Sequence, residues 1–241
     1  MADVISPIPQ RIVEAAVLAA LEEDGAFDDV TTRALVPADQ WGRGTFIAKE
    51  LGMIAGLQVA AAAMSTLDSQ ISFDALVEDG TRVEAGTEIA EVEGPLGSIL
   101  SAERVALNFL QRLSGIATLT DEFVHAVSGT GARILDTRKT TPGLRHLERY
   151  AVRAGGGQNH RFGLGSGLLI KDNHIRAARD RGAPDLETII ARARDASAHT
   201  MRVEIEVTNL EEVKEALAGR ADVILLDNMP VDEMRRAVEL I

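Results

Sequence analysis

Four short, nearly unbroken apolar runs in the second half of the chain alternate with helical patterns, an order that few folds accept. The runs are RILDT (133–137), LLIKD (168–172), MRVEIEV (201–207) and DVILLD (222–227), with LETIIARARDA (186–196) and LEEVKEALAG (210–219) between the later ones. Near-continuous apolar strands separated by helices are what a parallel sheet covered by helices requires. This predicts an α/β unit over residues 116–241, read as an incomplete, TIM-like β/α barrel because only four strand runs are visible. Each run ends at or beside charge: Asp136 to Lys139, Lys171-Asp172, Glu204 and Glu206, and Asp227. In a β/α barrel the carboxyl ends of all strands open on one face, where the chemistry of such enzymes sits.

The first half has a different rhythm. Pro9 opens an amphipathic helix whose Ile12, Val13, Ala16, Val17, Ala20 and Leu21 recur at i, i+3 and i+4, with Gly25 just past its end. From Thr45 to Val92 short strand-like runs and an alanine-rich helix (57–67) are divided by Gly44, Gly52, Asp79-Gly80, Gly86 and Gly94, which predicts a small α+β sandwich. Residues 79–94 have the cadence of a carrier half-barrel but no lysine to modify, so their glycines read as turns between edge strands. Ser101 is placed to cap a helix AERVALNFLQRL, Ser114-Gly115 to interrupt it, and a second helix to follow over roughly 116–127. The division is drawn there, as 1–115 and 116–241.

The chemistry-bearing residues are concentrated. Arg138, Lys139, His160, Arg161 and Lys171 fall in one short segment of a chain whose formal charge is −12. Such a balance opposes general affinity for nucleic acid or an anionic membrane, both of which need a basic face. A local basic cluster instead points to a small anionic substrate, whose carboxylates or phosphates guanidinium and ammonium groups clamp. Glu206 and Asp227 are suited to a divalent cation or a developing positive charge, and Glu204 shares the Glu206 face of its strand. The loop Gly155-Gly156-Gly157 matches no dinucleotide or P-loop pattern and reads as a tight turn delivering His160 and Arg161. His125, His146 and His199 read as surface residues, and His174 is left open. The chain has no cysteine, which excludes disulfides and thiolate chemistry, and with no leader-like or membrane-spanning run it reads as cytoplasmic.

The segments SAERVALNFLQRLSGIAT (101–118), DTRKTTPGLRHLERYAVRAGGGQNHRFGL (136–164), LLIKDNHI (168–175), VEIEV (203–207) and ILLDNM (224–229), with DDVTT (28–32), closely resemble quinolinate phosphoribosyltransferases. The resemblance implies joining of quinolinate to phosphoribosyl pyrophosphate with Mg²⁺, giving nicotinate mononucleotide, pyrophosphate and carbon dioxide. By residue, it implies that Thr137, Arg138, His160, Arg161 and Lys171 bind substrate, with Lys139 beside the phosphoribosyl group. It further implies that Glu206 and Asp227 serve the metal and ribose side, and that Arg104 is contributed across a homodimer interface. The family continues past the position of Ile241 with further βα units that bind phosphate, so this chain is expected to bind quinolinate better than it turns it over. Two alternatives accompany this assignment: a paralogue of the molybdenum-transport-associated type, and a non-catalytic, shortened subunit.

Overall fold

The computed structural model describes residues 5–241, which form two compact units that divide after His160. In the first unit, α1 (Gln10–Asp24) starts after Pro9 and ends at Gly25, burying Val13, Val17 and Leu21. Asp29 caps the short α2 (Val30–Leu35) by accepting the Thr31 and Thr32 N–H groups, both at 3.0 Å. There follow β1 (Trp41–Ile47), β2 (Gly52–Met53), α3 (Leu57–Leu67), β3 (Ser72–Ala75), β4 (Arg82–Val83) and β5 (Glu88–Pro95). β1, β5 and β3 form an antiparallel sheet in that order, and β2 pairs with β4. β5 is therefore central, which corrects the expectation that residues 79–94 supply edge strands. Nor do Gly44 and Gly94 break strands, since β1 and β5 run through them. At Gly94 the need is space, because a Cβ there would lie 2.9 Å from Ile71 Cα.

α4 (Leu96–Ala126) is one helix of 31 residues, not two. It begins five residues before Ser101, whose hydroxyl turns back to the Gly97 carbonyl at 3.0 Å rather than capping a first turn. The helix also continues through Ser114-Gly115. A glycine there costs ~1 kcal/mol of helix propensity, but Leu113 and Ala117 on either side are fully buried and hold the turn in register. The polar positions dock instead of interrupting: Ser114 Oγ accepts the Ala55 N–H at 3.1 Å, and Thr118 Oγ1 accepts that of Met53 at 2.9 Å. α3 packs on α4, α1 on α3, and α5 (Arg145–Ala154) on α4, around one core that runs from Ile8 to Ala154. The compact units separate at His160. Residues 133–137 make no regular strand. They contribute a single parallel bridge, Leu135 to Gln158, with hydrogen bonds from Asp136 N to Gln158 O (3.0 Å) and from Gln158 N to Ile134 O (2.8 Å). The chain turns directly afterwards at Thr137, too soon for a ladder.

In the second unit the expected alternation appears as β6 (Leu168–Ile170), α6 (Asp172–Asp180), α7 (Leu186–Asp195), β7 (Val203–Val207), α8 (Leu210–Ala218), β8 (Val223–Leu226) and α9 (Val231–Leu240). The three strands are parallel in the order β6-β7-β8, an open β/α array. Val203, Ile205 and Val207 are fully buried against Leu186, Ile190, Val213 and Ala216, while Glu204 and Glu206 alternate onto the other face. No helix among the described residues is long and apolar enough to cross a membrane.

Candidate active site

In the first unit the chemistry-bearing residues converge on the loop between α4 and α5 and on the segment after α5. Thr137 Oγ1 accepts the Lys139 N–H at 3.0 Å, a local turn that sets the course of Arg138 and Lys139. Lys139 is exposed. Arg138 is half-buried, and its Nε is a buried donor with no acceptor among the described residues. A buried N–H left in that condition is uncommon and costly in a folded protein. From α5, Arg145 Nε donates to Thr140 Oγ1 at 3.1 Å and its Nη2 to the Arg138 carbonyl at 3.4 Å, fixing the backbone of the basic turn.

Beneath this turn lies a charged layer that sequence reasoning missed. Glu148, 8% exposed, accepts Arg112 Nε at 3.1 Å and the Thr141 N–H at 3.1 Å, and is ion-paired with Arg112. Burial pushes its carboxyl upward, but the bonds from Arg112 and Thr141 outweigh burial and hold it below the usual carboxylate range. Arg149, 9% exposed, bonds Asp136 Oδ1 at 3.0 Å and the His160 carbonyl at 2.7 Å. Asn159 Nδ2 reaches Asp136 Oδ2 at 2.5 Å and the Arg149 carbonyl at 3.0 Å. The one available signal was position: Glu148 lies one helical step from buried Leu147 and Ala151, on the face that an apolar stripe would occupy. The triple glycine lets the loop approach α4 closely. A Cβ on Gly155 would sit 2.3 Å from the Ala117 carbonyl oxygen, so only glycine fits.

In the second unit Lys171 and Glu206, at the carboxyl ends of β6 and β7, are ion-paired through Nζ and Oε2, with the lysine side chain 43% exposed. Asp227 extends the ladder by one bond, its N–H to Val207 O at 2.9 Å. It stands two residues beyond Leu225, the partner of Glu206, and so on the Glu206 side of the sheet. Arg161 Nη1 bonds the Gly167 carbonyl at 2.9 Å. His174 has a structural task, its Nδ1 accepting the Lys171 N–H at 3.0 Å at the start of α6. His125 and His199 are exposed, whereas His146 is partly buried. Arg104 is exposed on α4 and makes no hydrogen bond or ion pair among the described residues. The structure therefore places Thr137, Arg138, Lys139 and His160, with Arg104 on α4, in one unit and Arg161, Lys171, Glu206 and Asp227 in the other.

Comparison with known proteins adds an independent line. The family described as quinolinate phosphoribosyl transferase matches by its N-terminal domain over residues 29–114 and by its C-terminal domain over residues 116–241. A relative from Synechocystis sp., named a probable carboxylating nicotinate-nucleotide pyrophosphorylase, is 44% identical over 221 residues, 92% of this chain and 73% of the relative. One of the same name from Bacillus subtilis is 43% identical over 218 residues, 90% of this chain and 73% of the relative. The solved nicotinate-nucleotide pyrophosphorylase of Francisella tularensis superposes with a TM-score of 0.89 at 38% identity, covering 100% of this chain and 83% of that one.

Proposed function

The chain belongs to the quinolinate phosphoribosyltransferase family, and from that premise we propose that it transfers the phosphoribosyl group of phosphoribosyl pyrophosphate to quinolinate with loss of carbon dioxide. It is a pentosyl-transferring enzyme of NAD biosynthesis, working as a cytoplasmic protein. The local observation that best supports this is the buried, acceptor-less Nε of Arg138 beside exposed Lys139. A quinolinate carboxylate supplies the missing acceptor, and a planar guanidinium holds it in a fixed orientation. In this reading Arg138, His160, Arg161 and Lys171 orient the two ring carboxylates, with Thr137 setting the turn, and Lys139 meets the phosphoribosyl group. Orientation brings the ring nitrogen to the anomeric carbon. The new C–N bond forms as the C–O bond to pyrophosphate breaks, and Glu206 and Asp227 face the positive charge that develops on the sugar. As carbon dioxide leaves, its bonding electron pair stays on the adjacent ring carbon, stabilised by the positive charge of the alkylated nitrogen, and a proton from water on that carbon completes nicotinate mononucleotide.

Among the described residues no group of three His, Asp or Glu side chains gathers as a metal cage. Two carboxylates, one of them already paired with Lys171, fit Mg²⁺, which keeps most of its ligands as phosphate oxygens and water. Glu206 and Asp227 would hold the ion, which when bound neutralises the departing pyrophosphate. The assembly proposed is a homodimer in which Arg104 of one copy serves the site of the other, consistent with its exposure and with its having no hydrogen bond or ion pair among the described residues. The molybdenum-transport-associated alternative finds no support among the relatives described above.

The test is to incubate the chain with quinolinate, phosphoribosyl pyrophosphate and Mg²⁺ and to quantify nicotinate mononucleotide by chromatography. Product is expected, reduced ~100-fold by Lys139→Ala, the scale of losing one charge-stabilising group, and abolished by EDTA. A chain that neither binds quinolinate nor forms product would overturn the assignment.

A further inference from the structure

We propose that Arg149 is a positioning residue for quinolinate, acting through the main chain of His160. The inference rests on the function proposed above but adds a residue to it. Both backbone polar groups of His160 are held by one buried ion pair. Its N–H donates to Asp136 Oδ1 at 2.8 Å, and its carbonyl accepts Arg149 Nη2 at 2.7 Å. Arg149 Nη1 and Asp136 Oδ1 meet at 3.0 Å, with side chains only 11% and 5% exposed. Asn159, the preceding residue, is tied to the same two partners. The peptide groups on either side of His160 are thereby fixed.

The clamp joins two strings of substrate-facing residues. Asp136 stands immediately before Thr137, Arg138 and Lys139, and its own N–H is bonded to Gln158 O at 3.0 Å. The basic turn and His160 consequently share one anchor, with Arg149 as its cationic half. Only a guanidinium makes this arrangement, because it presents two donors in a rigid fork, one toward a carboxylate and one toward a carbonyl. A lysine keeps its three donors on a single nitrogen and lacks the fork that here reaches the two acceptors from separate nitrogens.

The experiment measures quinolinate and phosphoribosyl pyrophosphate affinities by calorimetry, and Michaelis constants for both, for the wild-type chain, Arg149→Met and Arg149→Lys. Arg149→Met is expected to weaken quinolinate by about 10- to 100-fold, the scale of displacing a reacting group by a fraction of an ångström to 1 Å. Phosphoribosyl pyrophosphate should stay within about twofold, and Arg149→Lys should fall between wild type and Met. A merely structural role would lower the melting temperature and leave quinolinate affinity unchanged in the folded variant, or weaken both substrates equally; either result overturns the proposal. Should Arg149→Met fail to fold, Arg149→Lys decides by the same comparison. If the wild type binds quinolinate and the variants bind equally well, the positioning role alone falls; if the wild type does not bind it, the functional assignment falls with it.

Discussion

Two residues of α5, His146 and Glu148, make stability depend on pH in the same direction by different routes. Burial first, then the nearby charges of Arg11 and Arg149, keep the His146 imidazole below its ordinary value of 6.5. The unfolded chain therefore takes up this proton more readily, so stability is whole above 6.5 and declines as pH falls below it. Glu148, held below its ordinary 4.5, adds stability that is complete above 4.5 and lost as pH falls through its folded-state value. We expect the melting temperature to fall on acidification in two stages, with His146→Gln flattening the upper stage and Glu148→Gln the lower, as read by calorimetry between about pH 2.5 and 8.5, which extends roughly 2 units beyond the two ordinary values. At this scale the basic residues were legible because they cluster beside turn signals in an acidic chain. Arg149 and Glu148 were not, because charged residues within a helix ordinarily face water, and only the fold shows that these two turn inward.

Among the elements, α4 separates what local pattern conveys from what packing decides. Ser-Gly weakens a helix when judged alone, and the sequence accordingly suggested two helices. The tertiary surroundings join them, because Ser114 and Thr118 satisfy backbone groups of the neighbouring segment. Gly115 meets nothing within 4 Å of a built Cβ, so Gly115→Ala should raise stability by about 0.5–1 kcal/mol in denaturant unfolding. Gly155→Ala should do the reverse, costing at least ~1–3 kcal/mol as the added methyl meets the Ala117 carbonyl. The parallel strands β6, β7 and β8 and the helix 57–67 were readable because their apolar periods coincide with their burial. RILDT was overread: an apolar, β-branched run reports burial but does not name a partner strand, and here its partner is the single residue Gln158.

For the molecule as a whole, family membership was legible because long motifs span both halves, whereas assembly was not, since no apolar stripe in the sequence exceeds what the cores require. The proposed dimer has a direct check. Mixing Arg104→Ala with Lys139→Ala subunits, each strongly impaired alone, should restore roughly a quarter of wild-type activity if random dimers carry one intact composite site in every heterodimer. No recovery would place Arg104 in the site of its own chain. The uninterrupted α4 also bears on how such chains can be divided and recombined. The two family domains meet between residues 114 and 116, in the middle of a helix whose Leu113 and Ala117 lie in the same core. A chimaera spliced there inherits two halves of one helix from different parents, and each half must recognise core partners it did not evolve beside. A crossover near residue 160, where the compact units part, leaves that helix whole.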